Sequence, residues 1–249
     1  RPRRQRQMCI RDREKGYWVL NGQKIFTSLA PDADIYTVFA KTDPDKGTRG
    51  ISAFVVEKGW DGFDPGKRMD LMAAHPIGAP VFKDCSVPKE NLVGEQNAGF
   101  KVSMRNLDFF RSTVGAAAVG MAQAALDEAV SYAKGRFQFG KSIAEFQSIQ
   151  FKLADMATEL TASRALVYRA AYIKDQGAER ITLESSMAKL YATEAAWRII
   201  DEALQVHGGY GVIKGQHVER LYREIRALRV YEGTSEIQRL VIGNMLLKA

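Results

Sequence analysis

The chain has 249 residues, 46% hydrophobic and 26% charged, ordinary for a globular protein and long enough to bury a full core in one or two domains. No apolar run approaches the roughly 20 residues of a membrane-spanning helix; the two cysteines, Cys9 and Cys85, are too few for a disulfide framework and suit a reducing compartment; and His75, His207 and His217 are not at metal-ligand spacing. The net charge of +7 includes four arginines among the first six residues, which lack interleaved aromatics and read as a solvated tail rather than a nucleic-acid site, while a basic balance suits a polyanionic small ligand.

Up to about residue 95 the signals are those of strands. Tyr17-Trp18-Val19-Leu20 runs into Asn21-Gly22, a strong hairpin signal, and Lys24-Ile25-Phe26-Thr27 follows. Residues 35–40 and 51–56 are two more strands, separated by the turn-rich Asp43-Pro44-Asp45-Lys46-Gly47, with others expected at 79–82 and around 67–72. Short strands at this spacing predict a small antiparallel barrel or sandwich. From Ala98 onward there is no proline and the period turns helical. Ile143, Phe146, Ile149, Leu153, Met156, Leu160 and Val167 form one stripe of a long amphipathic helix, and similar stripes run from about Phe100 to Ala133 and from about Leu183 to Val206. Three long and two shorter helices with brief connections predict an antiparallel bundle. The expected class is α+β, a β domain over residues 1–94 followed by a helical bundle domain over 95–249.

Close to the C-terminus stands Tyr231-Glu232-Gly233-Thr234-Ser235-Glu236. Thr234 or Ser235 is a natural N-cap, and Ile237, Val241 and Met245 repeat at helical spacing behind it. Glu232 therefore sits on the turn before a helix, with Gly233 permitting close backbone approach. Two local readings stand: a carboxylate aimed at a substrate, or an acidic group favoured by the helix macrodipole.

Other segments bear on that choice. Ala133-Lys134-Gly135-Arg136-Phe137-Gln138-Phe139-Gly140-Lys141 precedes Phe146-Gln147, and Gln205-Val206-His207-Gly208-Gly209-Tyr210-Gly211 precedes the closing Tyr-Glu-Gly-Thr. Upstream lie Leu20-Asn21-Gly22-Gln23-Lys24 and Val87-Pro88-Lys89-Glu90-Asn91-Leu92-Val93-Gly94. In this order, across essentially the whole chain, these motifs resemble the acyl-CoA dehydrogenase family. Family members begin with an N-terminal helical domain and the first strands of the β domain, so the chain is expected to be a fragment or to be completed by another chain.

The resemblance implies FAD-dependent α,β-dehydrogenation of an acyl-CoA thioester. Glu232 would abstract the α-proton, the β-hydride would pass to flavin N5, and electrons would go on to an electron-transfer flavoprotein. An α-proton of a thioester is weakly acidic, so its base must be positioned and of raised pKa. Some relatives carry the base on the first bundle helix, where this chain has Phe110. Asp108, Arg111 and Gly233 match substrate-side positions, and Asp108 with Arg111 also reads as a plain i,i+3 ion pair. Phe26 and Ser28 stand where the family places a Trp-x-Thr pair against the flavin ring, and both also read as a core aromatic and a strand-edge serine. Thr234 and Glu236 match the pyrophosphate or adenosine side of FAD, with Glu236 expected to face ribose or solvent. Arg136, Gln138, Phe139, Gln147, Gln205, Gly208 and Gly209 match positions reaching a neighbouring subunit's FAD, which implies a homo-oligomer, a dimer or tetramer, and Gly208-Gly209 reads in addition as a helix C-cap. His207 is expected to be a structural or interface residue and not a catalyst. The implied compartment is the cytoplasm or, for a mitochondrial relative, the matrix. An acyl-CoA oxidase on the same fold, or a truncated non-catalytic subunit, are the competing readings.

Overall fold

The computed structural model describes residues 9–13 and 16–248. The arginine cluster read as a solvated tail lies outside the described residues. The chain divides into two compact units, one ending at Arg105 and one running from Asn106.

The first unit is built on a six-stranded sheet. Its strands are β1 (Cys9–Arg13), β2 (Tyr17–Gln23), β4 (Ile35–Lys41), β5 (Ile51–Glu57), β6 (Phe63–Asp64) and β8 (Val81–Pro88), in the spatial order β5-β4-β1-β2-β8-β6. Every neighbouring pair is antiparallel except β1 and β4, which run parallel through Cys9 and Lys41. A small antiparallel pair, β3 (Thr27–Ser28) with β7 (Ile77–Gly78), stands beside it. The alternation of Tyr36, Val38 and Ala40 puts one face of β4 in the core, where Trp18, Leu20, Phe54, Phe63 and Phe82 pack. Trp18 meets Phe54 edge-on at 5.6 Å, and Phe63 lies 4.9 Å from both Tyr36 and Phe82.

Asn21-Gly22 is not a hairpin turn. β2 continues through it to Gln23, and the register against β8 shifts between Leu20 and Gly22. Leu20 pairs with Cys85 but Gly22 with Phe82, so β8 carries one extra residue. Asp84, at φ 49°, takes the bulge, and the Asn21 amide holds it by donating to Asp84 Oδ1 (3.0 Å) and accepting from the Asp84 N–H (2.8 Å). The asparagine thus serves a cross-strand bulge instead of a turn.

The second unit contains α1 (Gly99–Gly135) from Asn106 onward, and α2 (Gln147–Asp175), α3 (Thr182–His207), α4 (His217–Leu228) and α5 (Ser235–Leu246). The three long and two shorter helices agree with the bundle expected from periodicity. The seam is rich in alanine: Ala118, Ala122, Ala125, Ala129 and Ala133 of α1 are buried with Ala188, Ala192, Ala195, Ala196 and Ala203 of α3. Gly115 of α1 is closely covered, since a Cβ there would come within 3.0 Å of Val167 Cγ2 of α2 and 3.5 Å of the Ala188 carbonyl oxygen of α3. One boundary differs from the sequence reading. Ile143 and Phe146 precede α2, because Ser142 and Glu145 form a capping box around a short 3-10 turn and leave Phe146 extended (φ −82°, ψ 126°). The stripe is buried at Met156, Leu160 and Val167. Among the described residues no helix is long and apolar enough to cross a membrane.

Candidate active site

The turn between α4 and α5 is shaped before any side chain acts. Tyr231 N–H donates to the Ala227 carbonyl, closing α4, and Ser235 N–H donates to the Arg229 carbonyl at 3.2 Å. Between them Glu232 and Gly233 both take positive φ, 52° and 91°. A glutamate in the left-handed region is uncommon and costs conformational energy, so surrounding contacts must hold it there. Thr234 is the N-cap of α5, its hydroxyl accepting from Ile237 N–H at 3.4 Å.

Those contacts come from two buried side chains. Gln238, one turn into α5, donates Nε2 to the carbonyls of both Glu232 and Gly233 at 3.0 Å. Lys189 of α3, fully buried, donates Nζ to the Gly233 carbonyl at 2.8 Å. A third tie fixes Ser235, whose hydroxyl donates to Glu194 of α3, and Glu194 also accepts from Arg229 Nε at 2.9 Å.

The charges follow from this packing. Burial raises the Glu232 carboxyl above its ordinary value, opposed by the Lys189 ammonium and by the glutamate's own N–H. Burial pushes Lys189 down to about 8, opposed by the carboxylates of Glu232 and Glu194. Tyr231 is pushed up to about 12, by burial first and then by Glu232. For Glu194 burial acts upward, but hydrogen bonds from Ser235 and Arg229 outweigh it and its pKa is lowered. The exposed Glu236 is held below the ordinary value by its own N–H and the Thr234 hydroxyl.

Asp108 and Arg111 stand on α1 in line with Val114 and Ala118, at the head of its buried stripe, and both are themselves buried. They are not a simple surface pair. Asp108 accepts from Arg180 Nε at 2.7 Å and from Thr182 Oγ1 at 3.0 Å, while Arg111 lies 3.9 Å from Asp108 and donates to Ser186 Oγ at 3.4 Å. Ser186 and Lys189 are i,i+3 neighbours on α3, and Arg111 is near enough to depress the lysine pKa. The structure thus brings Arg111 to the same end of α3 as the Glu232 turn. Arg111 Nε and Asp108 Oδ1 are buried with no hydrogen-bond partner among the described residues, an arrangement that usually marks a missing polar ligand or water.

A second group lines a cleft of about 450 Å³: Arg136, Gln138, Gly208 and Gly209, with Tyr132, His207 and Tyr210. Arg136 leads from α1 into a hairpin of β9 (Phe137–Gln138) and β10 (Lys141–Ser142), whose two-residue loop, Phe139-Gly140, has φ 53° and 80° as a type I′ turn requires. This leaves Phe139 92% exposed. The Arg136 guanidinium has no hydrogen bond or ion pair among the described residues. Gly208 caps α3 at φ 56°, its N–H donating to the Gln205 carbonyl, and a Cβ on Gly208 or Gly209 would meet nothing within 4 Å. His207 stacks on Tyr132 with centroids 4.4 Å apart and places Nδ1 2.8 Å from the Ala203 carbonyl, the contacts of a structural histidine. Phe139, Gln147 and Gln205 are exposed and outside the lining of this cleft.

In the first unit Phe26 follows β2 in a bend, at φ 57° with 66% of its surface exposed, so it is neither strand nor core aromatic. Ser28 lies in β3, paired with Ile77, and its side chain is exposed.

Lys189, Gln238, Glu194 and Arg180 escaped the sequence reading. Lys189 had a visible signal, since it falls with Ser185, Ala188, Ala192 and Ala196 on the apolar register of α3. Gln238 had none, because its role depends on a backbone turn six residues earlier.

Residues 3–85 match the model of the acyl-CoA dehydrogenase middle domain, and residues 97–247 that of the acyl-CoA dehydrogenase C-terminal domain. Over 241 residues the chain is 50% identical to the 3-(aryl)acrylate reductase of Clostridium sporogenes, covering 95% of this chain and 63% of that protein. Over 236 residues it is 50% identical to the caffeyl-CoA reductase-Etf complex subunit CarC of Acetobacterium woodii, covering 93% and 62%. Among solved structures, butyryl-CoA dehydrogenase from Megasphaera elsdenii matches with a TM-score of 0.93 at 44% identity, over 97% of this chain and 63% of that one. The chain therefore spans a little under two thirds of the length of these relatives.

Proposed function

The chain belongs to the acyl-CoA dehydrogenase family, and on that premise we propose that it carries the catalytic base of an enzyme interconverting a saturated acyl-CoA thioester and its α,β-unsaturated counterpart. The observation that carries this reading is Glu232: a half-buried carboxylate of raised pKa, on a left-handed residue whose carbonyl and the next are clamped from α5 and α3. A base so fixed removes a weakly acidic α-proton without first having to order itself, and its raised pKa favours proton transfer near neutral pH. At the position on the first bundle helix where the resemblance puts the base of some relatives this chain has Phe110, and its ring is exposed.

FAD, when bound, supplies the acceptor for the hydride that leaves the β-carbon. The chemistry of the donors fits such a dinucleotide. Arg136 is a cation unpaired among the described residues, Gly208 and Gly209 leave open backbone along the same cleft, and Thr234 stands at the N-terminus of α5, where the helix macrodipole favours an anion. Gln138, Phe139, Gln147 and Gln205 would join Arg136 in serving the flavin of a neighbouring copy, making the enzyme a homo-oligomer. Phe26 and Ser28 would serve a flavin ring, and Glu236 would face ribose or solvent. Asp108, Arg111 and Gly233 would face the thioester substrate, where Arg111 Nε, unpartnered among the described residues, offers a donor.

Relatives named as reductases favour a second direction for the same chemistry, in which Glu232 returns a proton to the α-carbon. The Etf complex named for one of them supports an electron-transfer flavoprotein as the redox partner in either direction. The deciding experiment is Glu232→Gln in the full-length protein. Flavin content and acyl-CoA binding are expected to persist while anaerobic flavin bleaching slows by ~10² or more, the scale of a lost general base. Near-normal bleaching would move the base elsewhere.

A further inference from the structure

Lys189 is hard to explain as a packing residue. Its neighbours on the α3 register are alanine and serine, and burying an ammonium costs several kcal/mol unless the charge is compensated. Among the described residues its ammonium makes one hydrogen bond, to the Gly233 carbonyl, yet that oxygen already accepts from Gln238, as does the Glu232 carbonyl. Backbone satisfaction of the turn therefore does not require a lysine. What Lys189 alone adds beneath the turn is a positive charge on the buried side.

We propose that Lys189 is a positioning residue for the reaction at Glu232, its buried ammonium holding the Gly233 carbonyl and keeping the adjoining carboxylate ionised and ready to take a proton. This rests on the assignment of Glu232 as the base. The charge balance at the site is compatible with it. Burial disfavours the ionised glutamate, and Lys189 opposes that effect. Lys189 in turn faces Glu232 from the turn, Glu236 from α5, Glu194 from its own helix and Arg111 from α1. The three carboxylates keep it protonated at neutral pH against burial and the guanidinium. When Glu232 accepts the α-proton its charge is lost and the pair is relaxed, so the ammonium favours the state before proton transfer. It holds the base usable at lower pH, at the expense of some basicity.

The test uses the full-length, flavin-loaded protein with Lys189→Met and Lys189→Arg. Two quantities are read against pH: the rate of anaerobic flavin reduction by an acyl-CoA, and the infrared band of the protonated Glu232 carboxyl in the substrate-free protein, identified by its loss in Glu232→Gln. In Lys189→Met both transitions are expected to move up by about one pH unit or more, a tenfold change in proton affinity, and Lys189→Arg is expected to bring both back toward wild type. Reduction slowed equally at every pH, with the carboxyl band titrating as in wild type, would assign Lys189 to packing and overturn the proposal. Should Lys189→Met not fold, the reciprocal coupling is read from the Lys189 amine in selectively ¹⁵N-labelled protein. Its titration is expected at lower pH in Glu232→Gln than in wild type, and an unchanged titration overturns the coupling. Near-normal flavin reduction in Glu232→Gln defeats the base assignment itself, whichever way the coupling experiments fall.

Discussion

The side-chain nitrogen of Gln238 lies 3.0 Å from the Gly233 carbonyl oxygen, and a Cβ added to residue 233 would come within 2.6 Å of that same nitrogen. The clamp and the glycine are one device. A glutamine can reach back over the first turn of α5 to two carbonyls only if the residue between Glu232 and the N-cap has no side chain.

Gly233→Ala tests this directly. The substitution meets both a φ of 91° and the clamp, so it is expected to destabilise the protein by about 1–2 kcal/mol. It should slow flavin reduction by more than that loss of stability alone, because the Glu232 carbonyl is held by the displaced amide. Chemical denaturation and rapid-mixing flavin reduction measure the two effects separately. A variant that is destabilised but reacts normally would show that the clamp serves folding and not the base.

Glu194 predicts a pH dependence of stability. Its folded pKa is lowered, so the stabilisation is fully present above the ordinary carboxylate value of about 4.3 and is lost as pH falls through the lower, folded value. Glu194→Gln is expected to lose about 1.5–3 kcal/mol at neutral pH, the range for hydrogen bonds to a charged group. The gap to wild type should narrow in acid. Urea unfolding at neutral and acid pH checks the sign, and a gap that widens in acid would contradict the assignment.

Arg136→Ala separates ligand binding from folding. The guanidinium makes no hydrogen bond or ion pair among the described residues, so the melting temperature of the flavin-free protein should not move. Affinity for FAD is expected to fall about 10- to 100-fold, from one or two lost charge-assisted contacts. Equilibrium titration of the flavin-free protein measures it, and unchanged affinity would remove Arg136 from the cofactor site.

The sequence carried the bundle well because helical periodicity is local. Stripes near 100–133 and 183–206 became α1 and α3, and Thr234 capped the closing helix as its position before an apolar repeat required. Asn21-Gly22 misled because the same dipeptide that favours a tight turn also suits a bulge, and the deciding partner, Asp84, is 63 residues away. The turn that holds Glu232 was legible in the glycine and the N-cap that follow it. The machinery around it was less so: Lys189 showed only in its place on the apolar register of α3, and the double acceptance at Gly233 exists only in three dimensions.

The alanine seam between α1 and α3 sets how this part of the molecule can fail. Cores built of leucine and phenylalanine are damaged by loss of bulk, which opens cavities. Here the side chains are already a single methyl group at Ala118, Ala122, Ala188 and Ala192, and Gly115 has none, so truncation has almost nothing left to remove. Damage can enter only by overfilling, at typically about 1–3 kcal/mol for each oversized replacement. Because Lys189 directly follows Ala188, a wedge there would shift the part of α3 from which the lysine reaches Gly233, and the turn that holds Glu232 would register a fault in the alanine seam.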